Sequence, residues 1–298
     1  MTSTQVNLTL ANGIVMPALG LGVFQSGPVE TVRAVAAALS TGYRLIDTAA
    51  AYGNETQVGE ALRQSGIDRD EVFVTTKMWI SEYGYDSGLN GFERSLRKLG
   101  LDRLDLYLLH QPMPNEWERT VEAWEAAGRV LDEGRTSAIG VSNFSSEQVA
   151  DLIDRTGVVP HVNQVELHPF FTQEELRATH ERLGIATQAW SPIGGVMRYF
   201  TGNPDEATSP LSHPVVTGLA EKYGRTPAQI VLRWHLEHGF SAIPKSVRPE
   251  RIAENFDVFG FALSADEVAA IDALDTGNRS GPDPAEIDTK RFTLTIED

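Results

Sequence analysis

The sequence contains no cysteine among its 298 residues. This absence excludes disulfide bonds, thiolate nucleophiles and thiolate metal sites, and it is typical of proteins from a reducing compartment. Basic residues are also scarce, because 25 lysines and arginines face 41 aspartates and glutamates, for a formal net charge of −16. Such a field repels nucleic-acid phosphates, so we expect no nucleic-acid partner, although solubility alone would also explain the acidity.

Long apolar runs are missing as well. No run approaches the roughly 18 apolar residues that a membrane span needs. The first residues, Met1 to Gln5, contain neither the basic nor the apolar region of a signal peptide. We therefore expect a cytoplasmic protein that contacts no membrane.

A glycine-rich phosphate loop is also absent. The nearest candidate runs from Gly20 to Gln25 and ends in glutamine where the third glycine belongs, and no Gly-Lys-Ser/Thr sequence occurs. A doubly wound open sheet that binds nucleotides usually carries such a loop after a strand. That fold is therefore the alternative interpretation and not the favoured one.

The sequence does contain an alternation of short apolar strands and amphipathic helices. The predicted strands lie at 19–24, 45–46, 72–76, 104–109, 138–141, 162–165, 185–190 and 240–243. Capping boxes at Ser145, Thr172 and Ser264 predict the starts of three of the helices. The alternation predicts an α/β fold, a (β/α)8 TIM barrel that spans residues 1–298 as a single domain. We expect an N-terminal β-hairpin before the barrel, with an Asn12-Gly13 turn, and an extra C-terminal helix after it.

Polar side chains follow the second, third and fourth predicted strands. Asp47 ends the second strand and Tyr52 lies in the loop behind it, while Lys77 and His110 end the next two. In a barrel these positions meet at the rim that carries active sites. We therefore expect a carboxylate, a phenol, an amine and an imidazole to lie together.

These four groups suit the reduction of a carbonyl. A phenol has a pKa near about 10, and an adjacent ammonium such as Lys77 lowers it, while Asp47 holds the lysine in place. Tyr52 and His110 could then bind a developing alkoxide, to which Tyr52 gives a proton. A hydride donor is the missing part.

Each of the four also has a plain structural explanation. Asp47 could cap the helix near Asn54, and Lys77 could be a solvated charge. His110 could be a satisfied core histidine, and Tyr52 a packing aromatic. The coincidence of all four at one rim favours the catalytic interpretation.

The fifth, sixth and seventh strands end in what looks like a cofactor bed. Ser142, Asn143 and Gln164 could hydrogen-bond a carboxamide, and Trp190 could stack on a flat heteroaromatic ring. The alternatives are a helix N-cap for Asn143 and a plug of the barrel end for Trp190.

A basic cluster follows the eighth strand. Lys245, Arg248 and Arg251, with the hydroxyl of Ser246, lie near a predicted helix N-terminus. Cations and a helix N-terminus together predict a phosphate site. Surface solubility is the alternative explanation.

Several sequence blocks resemble the aldo-keto reductase family. They are Gly-Tyr-Arg-Leu-Ile-Asp-Thr-Ala from Gly42, Tyr52 to Glu55, Leu99 to His110, Ala138 to Phe144, Asn163 to Pro169 and Ile243 to Asn255. They occur in the family's order over nearly the whole chain. The compact loops and the Ile-Pro-Lys-Ser block are similar to the microbial branch that includes diketogluconate reductases.

The resemblance implies an NADPH-dependent reductase of aldehydes or ketones, with Asp47, Tyr52, Lys77 and His110 as its catalytic tetrad. NADPH would bind without a Rossmann domain, which explains the missing glycine loop, and no metal is expected. The nicotinamide would stack on Trp190, the 2′-phosphate would bind at Lys245, Ser246 and Arg251, and the adenine at Glu254 and Asn255. The residues assigned to the cofactor are Gly22, Val23, Ser142, Asn143, Gln164, Trp190, Ser191, Lys245, Ser246, Val247, Arg251, Glu254 and Asn255.

The substrate pocket is the part that departs from the family. Phe24, Trp79 and Gln111 are the predicted pocket residues, and Gln111 stands where many relatives carry tryptophan before the proline. The segments 194–213 and 276–298 match no pattern, and in the family such segments usually set specificity, so the small-molecule carbonyl substrate stays open. We expect a monomer.

Two other classes of function compete with this prediction. A sensor or regulatory subunit would bind NADPH without using it, and the intact tetrad argues against that. A metal-dependent hydrolase would rest on His235-Leu236-Glu237-His238. That pair lies within a helix far from the strand ends, where a helix-end charge role is favoured.

Overall fold

The computed structural model describes residues 5–194 and 209–297, so most of the segment 194–213 lies outside the described chain. Its strands are β1 (Asn7–Thr9), β2 (Val15–Pro17), β3 (Leu21–Gly22), β4 (Leu45–Asp47), β5 (Phe73–Met78), β6 (Leu104–Leu109), β7 (Thr136–Ser142), β8 (Val162–Glu166), β9 (Ala186–Trp190) and β10 (Ser241–Ala242).

The helices alternate with these strands. They are α1 (Pro28–Thr41), α2 (Glu55–Ser65), α3 (Tyr85–Leu99), α4 (Trp117–Asp132), α5 (Ser146–Thr156), α6 (Glu174–Leu183), α7 (Pro214–Tyr223), α8 (Pro227–Glu237), α9 (Pro249–Phe256) and α10 (Ala265–Asp272). Among the described helices, none combines the length and apolarity needed to cross a bilayer.

Strands β3 to β10 form one parallel sheet in chain order, and the sheet closes on itself. Leu19 bridges Ala242 and Gly22 bridges Lys245, both in parallel register, and the Gly20 amide donates to the Ala242 carbonyl at 2.9 Å. These contacts join the first and last strands. The predicted barrel is confirmed, as are its N-terminal hairpin and its extra C-terminal helix, α10.

The hairpin covers the N-terminal end of the barrel. Its turn contains Gly13 at φ 85°, and the side chain of Asn12 accepts from the Ile14 amide at 3.2 Å. Leu10 and Met16 of this hairpin belong to the same buried cluster as the inward side chains of the strands. The opposite end of the barrel is left for polar groups.

Every residue of β5 is buried, as expected for a parallel strand covered on both faces. One face of the sheet packs against the helices through a large apolar cluster that includes Val74, Trp124 and Ile139. The barrel interior is filled by the smaller cluster around Leu106 and Leu108.

Two details differ from the prediction. Thr172 does not cap α6, because Gln173 occupies the N-cap without a side-chain bond and the Thr172 hydroxyl donates to Asp275 at 2.6 Å. The first barrel strand, Leu21–Gly22, is shorter than the predicted 19–24. Its pairing with β4 begins only at Leu21, whereas Gly20 bonds Ala242 of the last strand.

Helix α2 approaches α3 so closely that its Gly59 has no room for a side chain. A Cβ atom at residue 59 would lie 2.0 Å from the Leu99 carbonyl oxygen. Because backbone has to move, we expect Gly59→Ala to lower the free energy of unfolding by about 1–3 kcal/mol. Urea denaturation measures this change.

Gly218 provides the matched control, since it also lies in a helix, α7, but nothing lies within 4 Å of its added Cβ. Gly218→Ala should raise the free energy of unfolding by about 0.4–1 kcal/mol, because alanine narrows the unfolded ensemble. Equal effects of the two substitutions would contradict the described contact between α2 and α3.

Candidate active site

A buried ion pair lies at the C-terminal end of the barrel. Asp47 of β4 pairs in register with Thr75 of β5, so Lys77 lies two residues further along β5 on the same face. Its Nζ lies 2.6 Å from Asp47 Oδ1 and donates to the Thr48 carbonyl at 2.9 Å. Both charged side chains are almost fully buried, at 0% and 1% exposed.

Tyr52 lies beside this pair. It ends a 3-10 turn, Ala50–Tyr52, which stops at Gly53 with φ 66°. Lys77 Nζ donates to the Tyr52 hydroxyl at 3.4 Å. The phenol ring packs against Phe24, with a centroid separation of 5.0 Å, and against His110 at 5.6 Å. The hydroxyl therefore lies against the Lys77 ammonium, and the phenol ring lies beside the His110 imidazole.

His110 follows β6 directly and is held by its backbone. Its amide donates to the Met78 carbonyl at 3.1 Å, and its carbonyl accepts from Asn143 Nδ2 at 3.1 Å. Its ring meets Trp79 edge to face at 5.1 Å. Its Nδ1 is buried and has no hydrogen-bond partner in residues 5–194 and 209–297. The imidazole is thus fixed in place between two aromatic rings.

The protonation of Tyr52 and His110 follows from their burial. Burial raises the pKa of Tyr52, and the opposing charge of Lys77 does not overcome it. The sequence predicted a lowered pKa, so the net direction is wrong, although the effect of Lys77 has the expected sign. Burial, followed by the charge of Lys77, holds the pKa of His110 well below its usual range. At neutral pH the phenol therefore keeps its proton and the imidazole is neutral.

Lys77 stays charged in spite of its burial. Burial alone lowers the pKa of a lysine, but the charge and hydrogen bond of Asp47, together with Tyr52, outweigh it and raise the pKa of Lys77. For Asp47, burial raises the pKa against the opposing effect of Lys77. The two groups hold each other in a site that neither would occupy charged alone.

Gln164 connects this pair with the other side of the barrel. Its Nε2 donates to Asp47 Oδ2 at 2.8 Å and to Gln188 Oε1 at 2.7 Å. Gln188 in turn donates to Ser241 Oγ at 3.0 Å. Because the amide nitrogen of Gln164 is used in these bonds, its carbonyl oxygen is the atom that can serve a ligand.

The residues of the predicted cofactor bed are linked to one another by a chain of hydrogen bonds. The Ser142 hydroxyl donates to the Gln164 backbone carbonyl at 2.8 Å, and Asn143 Nδ2 donates to Ser142 Oγ at 3.1 Å. Asn143 has φ 69°, and its Oδ1 accepts from Trp190 Nε1 at 2.8 Å. Helix α5 is capped by Ser145, so Asn143 is not its N-cap.

These groups border a cavity of about 560 Å³ at the barrel end. Most of the site residues predicted from the sequence line it. They are Gly22, Phe24, Asp47, Tyr52, Trp79, His110, Gln111, Ser142, Asn143, Gln164, Trp190, Ser191 and Lys245.

The other predicted residues lie outside its lining. Lys77 lies behind Tyr52, and the side chain of Val23 is fully buried. Arg251 is exposed on α9, whose N-cap residue Arg248 makes no side-chain capping bond. Glu254 accepts from the Thr226 hydroxyl at 2.9 Å. Ser246, Val247 and Asn255 also do not line the cavity, and the cofactor roles of this group stay predictions.

The C-terminal tail, a segment that matched no sequence pattern, closes one wall of the cavity. Its contributing residues are Pro282, Ile287, Arg291, Phe292, Thr293 and Leu294. The indole nitrogen of Trp79 donates to the Leu294 carbonyl at 3.0 Å. The tail has no apolar periodicity, so only its contacts with the barrel identify it as part of the site.

The histidine pair of α8 is structural. His235 is buried and its Nε2 hydrogen-bonds the Pro192 carbonyl at 2.9 Å, while His238 Nε2 lies 2.9 Å from Asp272. Within the described ranges, no group of three or more histidines and carboxylates is arranged to hold a metal ion. This arrangement does not favour the hydrolase alternative.

Comparison with known proteins identifies the family. A model of the aldo/keto reductase family matches residues 18–276. The chain therefore belongs to the aldo/keto reductase family. The match confirms the family that the sequence blocks predicted, and with it the prediction that the chain is an oxidoreductase.

Its relatives span nearly the whole chain. Morphine 6-dehydrogenase of Pseudomonas putida is 54% identical over 286 residues, which are 96% of each chain. Methylglyoxal reductase DkgA of Escherichia coli is 46% identical and covers 93% of this chain and 96% of its own. The solved structure of a Gox0644 variant in complex with NADPH has a TM-score of 0.86 and 45% identity, over 96% of this chain and 99% of that one.

The buried Lys77–Asp47 ion pair should contribute to the stability of the fold. Asp47→Asn leaves the Lys77 ammonium buried without its countercharge, and we expect the free energy of unfolding to fall by about 3–5 kcal/mol. Glu133→Gln breaks the exposed Arg129–Glu133 pair on the surface, and we expect a loss of less than about 1 kcal/mol. Denaturant titration of both variants measures these losses. If Asp47→Asn lowered the free energy of unfolding no more than Glu133→Gln does, the buried pair would not be a main source of stability.

Proposed function

We propose that this chain is an NADPH-dependent reductase of aldehydes or ketones in which Tyr52 is the general acid. One observation carries the proposal. The Tyr52 hydroxyl lies 3.4 Å from the buried Lys77 ammonium, the Tyr52 ring lies beside the His110 ring, and Tyr52, His110 and Trp190 line one cavity. The predicted cofactor is confirmed at the level of the family, since solved relatives hold NADPH or NADP.

The residues present fit a nicotinamide cofactor. Trp190 offers an aromatic face within the cavity, and the carbonyl oxygen of Gln164 and the hydroxyl of Ser142 offer acceptors for a carboxamide. Lys245 points to the same cavity from beyond β10, and the uncapped N-terminus of α9 lies a few residues further on. A cation and a free helix N-terminus are the chemistry that phosphate groups require.

When bound, NADPH supplies the hydride that reaches the carbonyl carbon of the substrate. Tyr52 donates its proton to the carbonyl oxygen, and the neutral imidazole of His110 donates a hydrogen bond to the same oxygen. The Lys77 ammonium stabilises the phenolate that remains on Tyr52, because it already lies against that hydroxyl. Asp47 keeps Lys77 charged and in position.

The substrate side of the cavity is largely apolar. Phe24, Trp79 and Leu294 line the cavity together with Tyr52, while Gln111 adds an amide where many relatives have an indole. The backbone of Gln111 is fixed by Tyr83, which donates to its carbonyl at 2.6 Å. We propose a small carbonyl compound with an apolar body as the substrate class. A monomer, a cytoplasmic location and a single domain over residues 1–298 stay predictions.

Tyr52→Phe tests the mechanism. The variant keeps the ring and its packing but loses the proton, so we expect normal NADPH binding and a loss of about 10²-fold or more in kcat. Fluorescence titration gives the binding constant, and NADPH oxidation with a panel of aldehydes and ketones gives kcat.

Tyr85→Phe is the matched control, because Tyr85 is an exposed tyrosine of α3 outside the cavity, and its kcat should stay at the wild-type value. Near-normal reduction by Tyr52→Phe would refute the assigned acid. Wild-type protein that binds NADPH but oxidises it with no carbonyl of the panel would instead support the sensor alternative.

Arg251→Ala tests the phosphate site. Arg251 is exposed near the N-terminus of α9, and the 2′-phosphate is the group that NADPH has and NADH lacks. We expect the Kd for NADPH to rise about tenfold or more, which is the 1.4 kcal/mol or more of a lost charge-assisted bond. The Kd for NADH should change little.

Arg129→Ala is the control for this experiment, since Arg129 is an exposed arginine of α4 that pairs with Glu133 on the surface. It should leave both constants unchanged. An equal loss for NADPH and NADH in Arg251→Ala would remove this arginine from the 2′-phosphate site.

A further inference from the structure

Glu166 is a fully buried carboxylate that the catalytic tetrad does not use. It is the last residue of β8 and lies in register beside Trp190 at the end of β9. We infer that Glu166 is a positioning residue for the cofactor, which clamps residues 279–282 of the tail against the edge of Trp190. This inference rests on the proposed NADPH site.

The carboxylate of Glu166 is surrounded by donors from the tail. The Ser280 amide donates to Oε1 at 2.7 Å and the Gly281 amide to Oε2 at 2.8 Å, while the Ser280 hydroxyl also bonds Oε1. His168 Nε2 lies 3.0 Å from Oε1, and the Arg279 guanidinium lies 4.0 Å from Oε2. Burial raises the pKa of such a group, but the bonds from His168 and Ser280 outweigh it and lower the pKa of Glu166. The anchor is therefore a carboxylate at neutral pH.

The clamped segment touches Trp190 directly. A Cβ atom at residue 281 would lie 2.5 Å from Cη2 of Trp190 and 3.0 Å from Glu166 Oε2, so only glycine fits between the two side chains. On its opposite edge, the indole nitrogen of Trp190 donates to Asn143 at 2.8 Å. The indole is thus contacted at both edges, and these contacts fix the plane of its ring. A fixed plane is what stacking on a flat ring requires.

A second carboxylate, Glu116, holds the tail at a different point, Thr289. The Thr289 amide donates to Glu116 Oε1 at 3.2 Å, and the Thr289 hydroxyl donates to the same oxygen at 2.5 Å. The tail near Thr289 provides Ile287 and Arg291 to the substrate side of the cavity. Glu166 therefore acts on the cofactor side and Glu116 on the substrate side. This separation gives each anchor its own kinetic signature.

Glu166→Gln tests the clamp because its amide keeps the shape of the side chain but loses the charge that holds three donors of the tail. We expect the Kd and KM for NADPH to rise about tenfold, equivalent to 1.4 kcal/mol, with the KM for the carbonyl substrate within about twofold of wild type. NADPH quenching of tryptophan fluorescence, measured without substrate, reports the stacking separately from turnover.

Gly281→Ala and Ser280→Ala keep the carboxylate and decide the matter if Glu166→Gln does not fold. The alanine at 281 collides with Trp190, so it should raise the Kd for NADPH as much as Glu166→Gln does, and Ser280→Ala should raise it less. Glu116→Gln is the matched control, which should leave the Kd for NADPH unchanged and raise only the KM for the carbonyl.

Wild-type Kd values for NADPH in both Glu166→Gln and Gly281→Ala would overturn the clamp while leaving the reductase proposal intact. An equal rise of the Kd in Glu116→Gln would also overturn it, because the effect would then belong to the tail as a whole. A wild-type protein whose fluorescence does not respond to NADPH would remove the proposed cofactor site and this inference with it.

Discussion

The buried pair of Lys77 and Asp47 is the constraint around which this barrel end is built. An ammonium has three N–H donors, and leaving one unpaired in the interior is costly. Asp47 and the Thr48 carbonyl take two of them, and the Tyr52 hydroxyl lies where the third can reach it. The position of the phenol therefore follows from the need to satisfy a buried charge. The groups that stabilise the fold here are also the groups to which we assign the chemistry.

The same requirement extends across the barrel to the cofactor side. A carboxylate has two oxygens, and Asp47 uses the second to accept from Gln164, which continues to Gln188. The backbone carbonyl of Gln164 also accepts a hydrogen bond from the Ser142 hydroxyl. The predicted tetrad and the predicted cofactor bed are thus one hydrogen-bonded network. Substitutions within such a network do not add independently, because each residue orients the next.

The sequence predicted those features that depend on local pattern. Strand–helix alternation, together with the missing glycine-rich phosphate loop, favoured a barrel. The ends of its parallel strands meet at one rim, so Asp47, Lys77 and His110 could be grouped before their geometry was known. The direction of the Tyr52 pKa could not be predicted, because it depends on how deeply the assembled rim buries the phenol. The capping role predicted for Thr172 was wrong for a similar reason: Asp275, about a hundred residues away, takes its hydroxyl.

The C-terminal tail shows the limit of local pattern most clearly. Its conformation is set by single contacts with distant parts of the chain, such as Trp79 with Leu294 and Glu166 with Ser280. A segment held in this way needs no helical or strand periodicity of its own, so its sequence contains no sign of its path. The tail can therefore change in sequence without disturbing the barrel, provided its anchors remain.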